Sequence, residues 1–158
     1  MPDAPTRGGA VVIGVGNEIR GDDAAGLIVA RRLRERAATR AVVLACEADP
    51  AGLLDAWLDA ALAIIVDTVV SGAEPGTVQR FDVSAVPLPA RLAGSSTHAL
   101  GVAEAIELAR ALHRLPRRTI VYGIEGSSFS AGAPLHPTVD RAIDETLTRV
   151  VAELGVRR

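Results

Sequence analysis

Three side chains scattered along the chain share a chemistry. Asp23 follows the apolar run Ala10–Val15 and a short glycine-containing loop. Asp67 ends the run Ala63-Ile64-Ile65-Val66. His98 opens a helical pattern after a loop rich in Pro, Gly and Ser. Two hard carboxylate oxygens and one imidazole nitrogen suit a borderline divalent cation such as nickel or zinc. No compact metal motif links them, so they form a site only if the fold gathers three loops. Asp67 is the sharpest of the three, because a carboxylate at the rim of a buried strand ionises at a cost unless a cation or donors compensate it. Each has a plainer alternative. Asp67 can accept backbone N–H groups in a turn. Asp22 and Asp23 can satisfy the free N–H groups and dipole of a helix start, although one acid suffices for that. Lone histidines are most often structural or exposed; His113 suits the carboxyl end of its helix, and His136, between Leu135 and Pro137, has no evident partner.

Other chemistries fit less well. Cys46, the one thiol, closes an apolar run and reads as a small buried hydrophobe. Ser95-Ser96 and Ser127-Ser128 lack the Gly-x-Ser-x-Gly elbow of serine hydrolases. Gly14-x-Gly16 follows a strand in the manner of a dinucleotide fingerprint, but Ile19 stands where the third glycine belongs. Asp22-Asp23 would also set negative charge where a pyrophosphate needs helix N–H groups.

The elements that must position these residues are legible as alternating patterns. Ala10–Val15, Ala41–Ala45, Leu62–Val66 and Thr119–Ile124 are short apolar runs, the pattern of strands buried on both faces. Thr77–Val83 alternates and predicts an edge strand. Helical spacing predicts Ala24–Arg36, Asp49–Asp59 with Leu53, Leu54, Trp57 and Leu58 inward, Thr97–His113 with Leu100, Ala103, Ile106, Leu108 and Leu112 inward, and Thr138–Leu154. The order β-α-β-α-β-β-α-β-α predicts a three-layer α/β/α sandwich around a mostly parallel five-stranded sheet with one antiparallel edge strand. Ligands bind such sheets beyond the carboxyl ends of the strands. That rule selects Asn17, Glu18, Asp22 and Asp23 after the first strand, and Cys46, Glu47 and Asp49 after the second. It selects Asp67 and Thr68 after the third, Glu125 and Ser127 after the last, and it lets His98 join them from a helix start.

Composition bounds the rest. The chain has 158 residues, 49% of them hydrophobic and 23% charged, enough to bury about 70% of the unfolded surface without staples. We expect a flexible tail over residues 1–9 and one domain over 10–158. The net charge of −2 and the 3% aromatic content argue against a nucleic-acid partner. A single cysteine excludes an internal disulfide and a multi-cysteine zinc site. No run is apolar enough for a membrane helix and the N-terminus lacks a signal-like core, so a cytoplasmic protein is expected.

Three segments together resemble the hydrogenase maturation endopeptidases over about Val11 to Leu154. They are Gly14-Val-Gly-Asn-Glu-Ile-Arg-Gly-Asp-Asp23 with Gly26 beyond it, Ile64-Ile-Val-Asp67, and Ser96-Thr-His98-Ala-Leu-Gly101; Pro75-Gly76-Thr77 also matches. The resemblance implies metal contacts at Asp23, Asp67 and His98, with aspartate where relatives often carry glutamate. It implies catalytic roles for Asp23, Asp67 and Glu47. It also implies an endopeptidase that trims the C-terminal extension of a nickel-iron hydrogenase large-subunit precursor, reading nickel that the substrate brings, with no organic cofactor. A monomer is expected. The family's Asp-Gly-Gly-Thr segment is here Glu47-Ala48-Asp49-Pro50-Ala51-Gly52, so a carboxylate is kept while the glycine pair and threonine are lost. Two other readings compete: a non-enzymatic α/β module for a metal or small anion, and a nucleotide-binding domain.

Overall fold

Successive residues of each strand go to opposite helical layers. Val12, Ile64, Val66, Ile120, Tyr122 and Ile124 pack under one pair of helices, whereas Val11, Ile13, Val15, Ala63, Ile65 and Val121 pack under the other. The computed structural model describes residues 7–36, 40–47, 49–89, 92 and 99–155, with backbone alone at residues 99 and 100. Strands β1 (Ala10–Val15), β2 (Val42–Cys46), β3 (Leu62–Val69), β4 (Val78–Asp82) and β5 (Arg118–Glu125) form one sheet in the order β2-β1-β3-β5-β4. All neighbours are parallel except β4 and β5. The segment joining β3 to β4 is too short for a crossover, so β4 cannot lie parallel and takes the edge.

Helices α1 (Ala25–Glu35) and α4 (Pro137–Glu153) cover the first face. Helices α2 (Pro50–Ala56) and α3 (Ala99–Ala111) cover the second. Local chemistry starts two of them. The Asp49 carboxylate accepts from the Gly52 N–H at 3.0 Å with Pro50 in the first turn, and the His136 imidazole accepts from the Thr138 N–H with Pro137 following. Both proline placements suit a first turn, where no N–H is missed. The three-layer sandwich and the antiparallel edge strand are as expected from the sequence.

Several details differ. β3 runs on to Val69, because β5 pairs with it as far as Glu125; Asp67 therefore lies inside the strand and does not end it. α2 stops at Ala56, and Asp59 takes a left-handed φ of 64° in the turn that follows, which leaves Leu58 exposed. In α3 the inward stripe is Val102, Ala105, Ile106 and Ala109, one helical face by its spacing, so Leu108 and Leu112 point out. Cys46 is half-buried, not enclosed. His136 has a partner after all, as the cap of α4.

Candidate active site

β1 lies between β2 and β3, so the chain leaves β1 toward one side of the sheet and returns across it to the other. Strand order reverses at the β1/β3 boundary, the place where open α/β sheets form a ligand crevice. Asp23 lies in the turn that follows β1, and Asp67 lies two residues inside the carboxyl end of β3.

The loop after β1 reaches that place by close backbone contact. A Cβ on Gly16 would stand 2.0 Å from the Asp23 carbonyl oxygen, and one on Gly26 would stand 2.4 Å from the Val66 carbonyl oxygen. Only glycine allows these approaches. Gly21 has a φ of 57°, a conformation that glycine adopts at little cost. It opens a 3₁₀ turn, Gly21–Ala24, that leads into α1. Gly16 thus serves packing against the turn and Gly14 packing against α1 at Gly26 and Ala30, which accounts for the broken nucleotide fingerprint.

Within that turn the two aspartates separate. Asp22 is fully buried. Its Oδ2 accepts from the N–H groups of Ser127 at 2.8 Å and Ser128 at 2.9 Å, and its Oδ1 accepts from the His136 N–H at 2.8 Å. Its carbonyl accepts from the Thr68 hydroxyl at 2.8 Å. With its carboxylate spent on these three N–H groups, Asp22 caps neither the turn nor α1. Asp22 instead ties the turn to β3 and to the loop before α4. Nothing in local sequence points to partners more than a hundred residues away.

Asp23 is also buried, and so is Asp67. The Asp67 Oδ1 accepts from the Thr68 N–H at 2.8 Å. Burial pushes its carboxyl well above the ordinary range; the Thr68 bond opposes this and the negative Asp23 nearby adds to it. The turn alternative for Asp67 is therefore met in part, by one N–H, which leaves the carboxyl favouring its proton. Two close buried carboxylates repel, and either a proton or a cation relieves them. Burial also raises the Cys46 thiol, helped by Asp49 and Asp67, as its place beside Val15 in the same transverse row of the sheet leads one to expect.

Glu47 follows β2 directly and is exposed. The Asp49 carboxylate is engaged as the α2 cap. Glu125 is buried and turned to structure, for its carboxylate holds the Ser71 N–H and hydroxyl, each at 2.8 Å, and the Gly72 N–H at 3.1 Å. Ser127 contributes a backbone N–H to Asp22. His113 is exposed with a φ of 55°. His98 lies outside the described residues, and among those described no cluster of three or more metal-ligating side chains occurs.

The profile of the hydrogenase maturation protease family HycI matches residues 28–153. The chain is 30% identical over 148 residues to the hydrogenase 2 maturation protease of Escherichia coli K12, covering 91% of this chain and 89% of that one. The chain belongs to the hydrogenase maturation protease family. Solved structures agree. The hydrogenase maturating endopeptidase HybD from E. coli superposes with a TM-score of 0.74 at 25% identity, over 92% of this chain and 91% of that one. An endopeptidase from E. coli solved in solution superposes at 0.79 with 29% identity and the same coverage. Maturation proteases of this fold thus share the sheet that brings Asp23 and Asp67 together here. The family profile includes Asp67 and begins beyond Asp23.

Proposed function

We propose that the chain is an endopeptidase that removes the C-terminal extension from the large-subunit precursor of a nickel-iron hydrogenase after nickel has been inserted. The observation that carries this reading is the buried Asp23–Asp67 pair at the switch point, in a chain of the maturation protease family. Nickel arrives with the substrate, and Asp23, Asp67 and His98 contact it. Two carboxylates and an imidazole are donors that a divalent nickel ion accepts. Without the cation the two carboxylates repel and the Asp67 carboxyl is held above its ordinary range, so the site favours loaded over empty precursor. No organic cofactor takes part.

Cleavage consumes one water. Its oxygen joins the scissile carbonyl carbon, and its proton goes to the leaving amine. We assign the base to Glu47, which is exposed directly after β2 on the edge of the sheet where β3 also ends. The reaction is placed in the cytoplasm, with the enzyme a monomer.

The test is a time course with nickel-loaded and nickel-free precursor. The wild-type chain should release one C-terminal fragment from the loaded form and none from the empty form. Glu47→Gln should bind loaded precursor normally and cleave it roughly 10²–10⁴-fold more slowly, the usual effect of losing a general base. Binding of loaded precursor with no fragment released by the wild type would favour the metal-binding module. An unchanged rate for Glu47→Gln would remove that residue from the chemistry.

A further inference from the structure

Asp23 and Asp67 come from separate elements, a turn after β1 and the body of β3, and one residue is bonded to each of them. Thr68 donates its backbone N–H to the Asp67 Oδ1 and its hydroxyl to the carbonyl of Asp22, the residue before Asp23, each at 2.8 Å. Successive strand residues alternate in face. Asp67 thus projects with Ile65 toward α2 and α3, whereas Thr68 projects with Val66 toward α1. The hydroxyl holds the turn from one face of the sheet while Asp67 presents its carboxylate on the other. Thr68 is fully buried, and its second arm fixes its direction. A Cβ on Gly126 would stand 2.7 Å from the Thr68 Cγ2. The methyl therefore fills a recess that only glycine leaves open, and in a β-branched side chain this leaves the hydroxyl to face Asp22.

We propose that Thr68 is a positioning residue whose hydroxyl sets the separation of Asp23 and Asp67, so that the two carboxylates share one divalent cation; this rests on the reading of that pair as the nickel contact. Ligand bonds to such a cation are short and vary little, about 2.0–2.2 Å for carboxylate oxygen. A supporting bond that lets one ligand drift therefore weakens the whole set. Asp67 needs no such help along the strand, because β3 is paired on both sides. Asp23 sits in a single 3₁₀ turn, and its place relative to β3 depends on what ties the turn there. The hydroxyl is not required for the turn to form. The Asp22 carbonyl also accepts from the Ala25 N–H, so no buried acceptor is orphaned when the hydroxyl is removed. Thr68→Val keeps the shape and the seated methyl, so it should fold with the Asp23 turn loosened from β3.

The experiment measures nickel(II) affinity near neutral pH, by competition with a chelating dye, for wild type, Thr68→Val, Thr68→Ser and Thr146→Val, each shown to be folded by circular dichroism. Thr146 is the matched control. It is also fully buried, and its hydroxyl donates to the Ala142 carbonyl at 2.8 Å within α4. Thr68→Val should weaken nickel binding by roughly 10- to 100-fold, the usual loss when a group that orients a metal ligand is removed. Thr68→Ser keeps the hydroxyl, and it and Thr146→Val should stay within about threefold of wild type. A purely structural threonine would lower the melting temperature without changing the affinity of the folded chain. Thr68→Ala also removes the hydroxyl and gives the same comparison if Thr68→Val does not fold. Equal affinity in Thr68→Val and wild type, or an equal loss in Thr146→Val, overturns the positioning role and leaves the peptidase reading standing. A wild type that binds no nickel overturns it as well. Fragment release from nickel-loaded precursor is scored separately: the expected affinity pattern with no fragment from wild type upholds the positioning role and overturns the peptidase reading alone.

Discussion

Asp22 commits both carboxylate oxygens to three backbone N–H groups, with its side chain fully buried. An amide in its place must turn an NH2 group toward one of those donors, leaving buried groups unsatisfied. Asp22→Asn is therefore expected to destabilise the fold by about 3 kcal/mol, read from urea denaturation. Asp67 answers the same substitution in the opposite way. Burial and Asp23 raise its carboxyl in the folded chain above its unfolded value. At pH below the ordinary carboxylate range both states are protonated and nothing is lost. As pH climbs past that range the unfolded chain gives up this proton first, so stability falls, by up to about 1.4 kcal/mol per unit. The fall ends where the folded carboxyl itself ionises. Asp67→Asn can still accept from the Thr68 N–H and has no proton to lose. With chelator present, its stability from pH 4 to 8 should stay flatter than the wild type's and exceed it near neutrality, while cleavage is lost. A wild-type profile that rises through this window would contradict the raised carboxyl.

At the level of elements, the strands were readable because burial on both faces forces continuous apolar runs, and Val11–Val15 and Ile64–Val66 obey that rule. The end of β3 was not, since Asp67 and Thr68 look like a polar stop and pairing with β5 carries the strand past them. The inward face of α3 differs from the expected one because leucines at 108 and 112 fit a helical spacing as well as the smaller Ala105 and Ala109 do; only the tertiary stripe chooses. Asp23 and Asp67 are legible as acids near the carboxyl edge of the sheet, whereas the anchoring roles of Asp22, Glu125 and His136 depend on contacts that no local pattern encodes. The contact of α1 with the sheet yields a sharper expectation. A methyl on Gly26 would meet the Val66 carbonyl oxygen at 2.4 Å and the Val15 carbonyl oxygen at 2.6 Å. Gly26→Ala should push the helix start outward, lowering stability by about 1–3 kcal/mol and carrying the Asp23 turn with it, so that cleavage falls further than the stability loss explains. Thermal melts paired with a fragment-release assay check this, and full activity in a folded variant would show that the close approach is dispensable.

For the molecule as a whole, the reversal of strand order between β1 and β3 is what gives two distant carboxylates a common address. A ligand that bridges them binds the folded chain and not the unfolded one, so it must stabilise the fold. Nickel at a hundred times its dissociation constant should add about 2.7 kcal/mol, seen as a higher Tm. Asp67→Asn should show little of that increase. An equal rise in wild type and variant would place the metal elsewhere.

The ties of Asp22 have a consequence for the order in which this enzyme comes into being on the ribosome. The turn bearing Asp23 is made early, but the groups that hold its neighbour in place, at Ser127, Ser128 and His136, are made late. At about 5–20 residues per second of synthesis, the nascent turn waits roughly 6–20 s for the backbone that fixes it. β1, α1, β2 and β3 can all emerge and pair in that interval without yielding a working site. If the proposed Asp23–Asp67 site does the cutting, the chain stays inert during translation until the loop before α4 has been made.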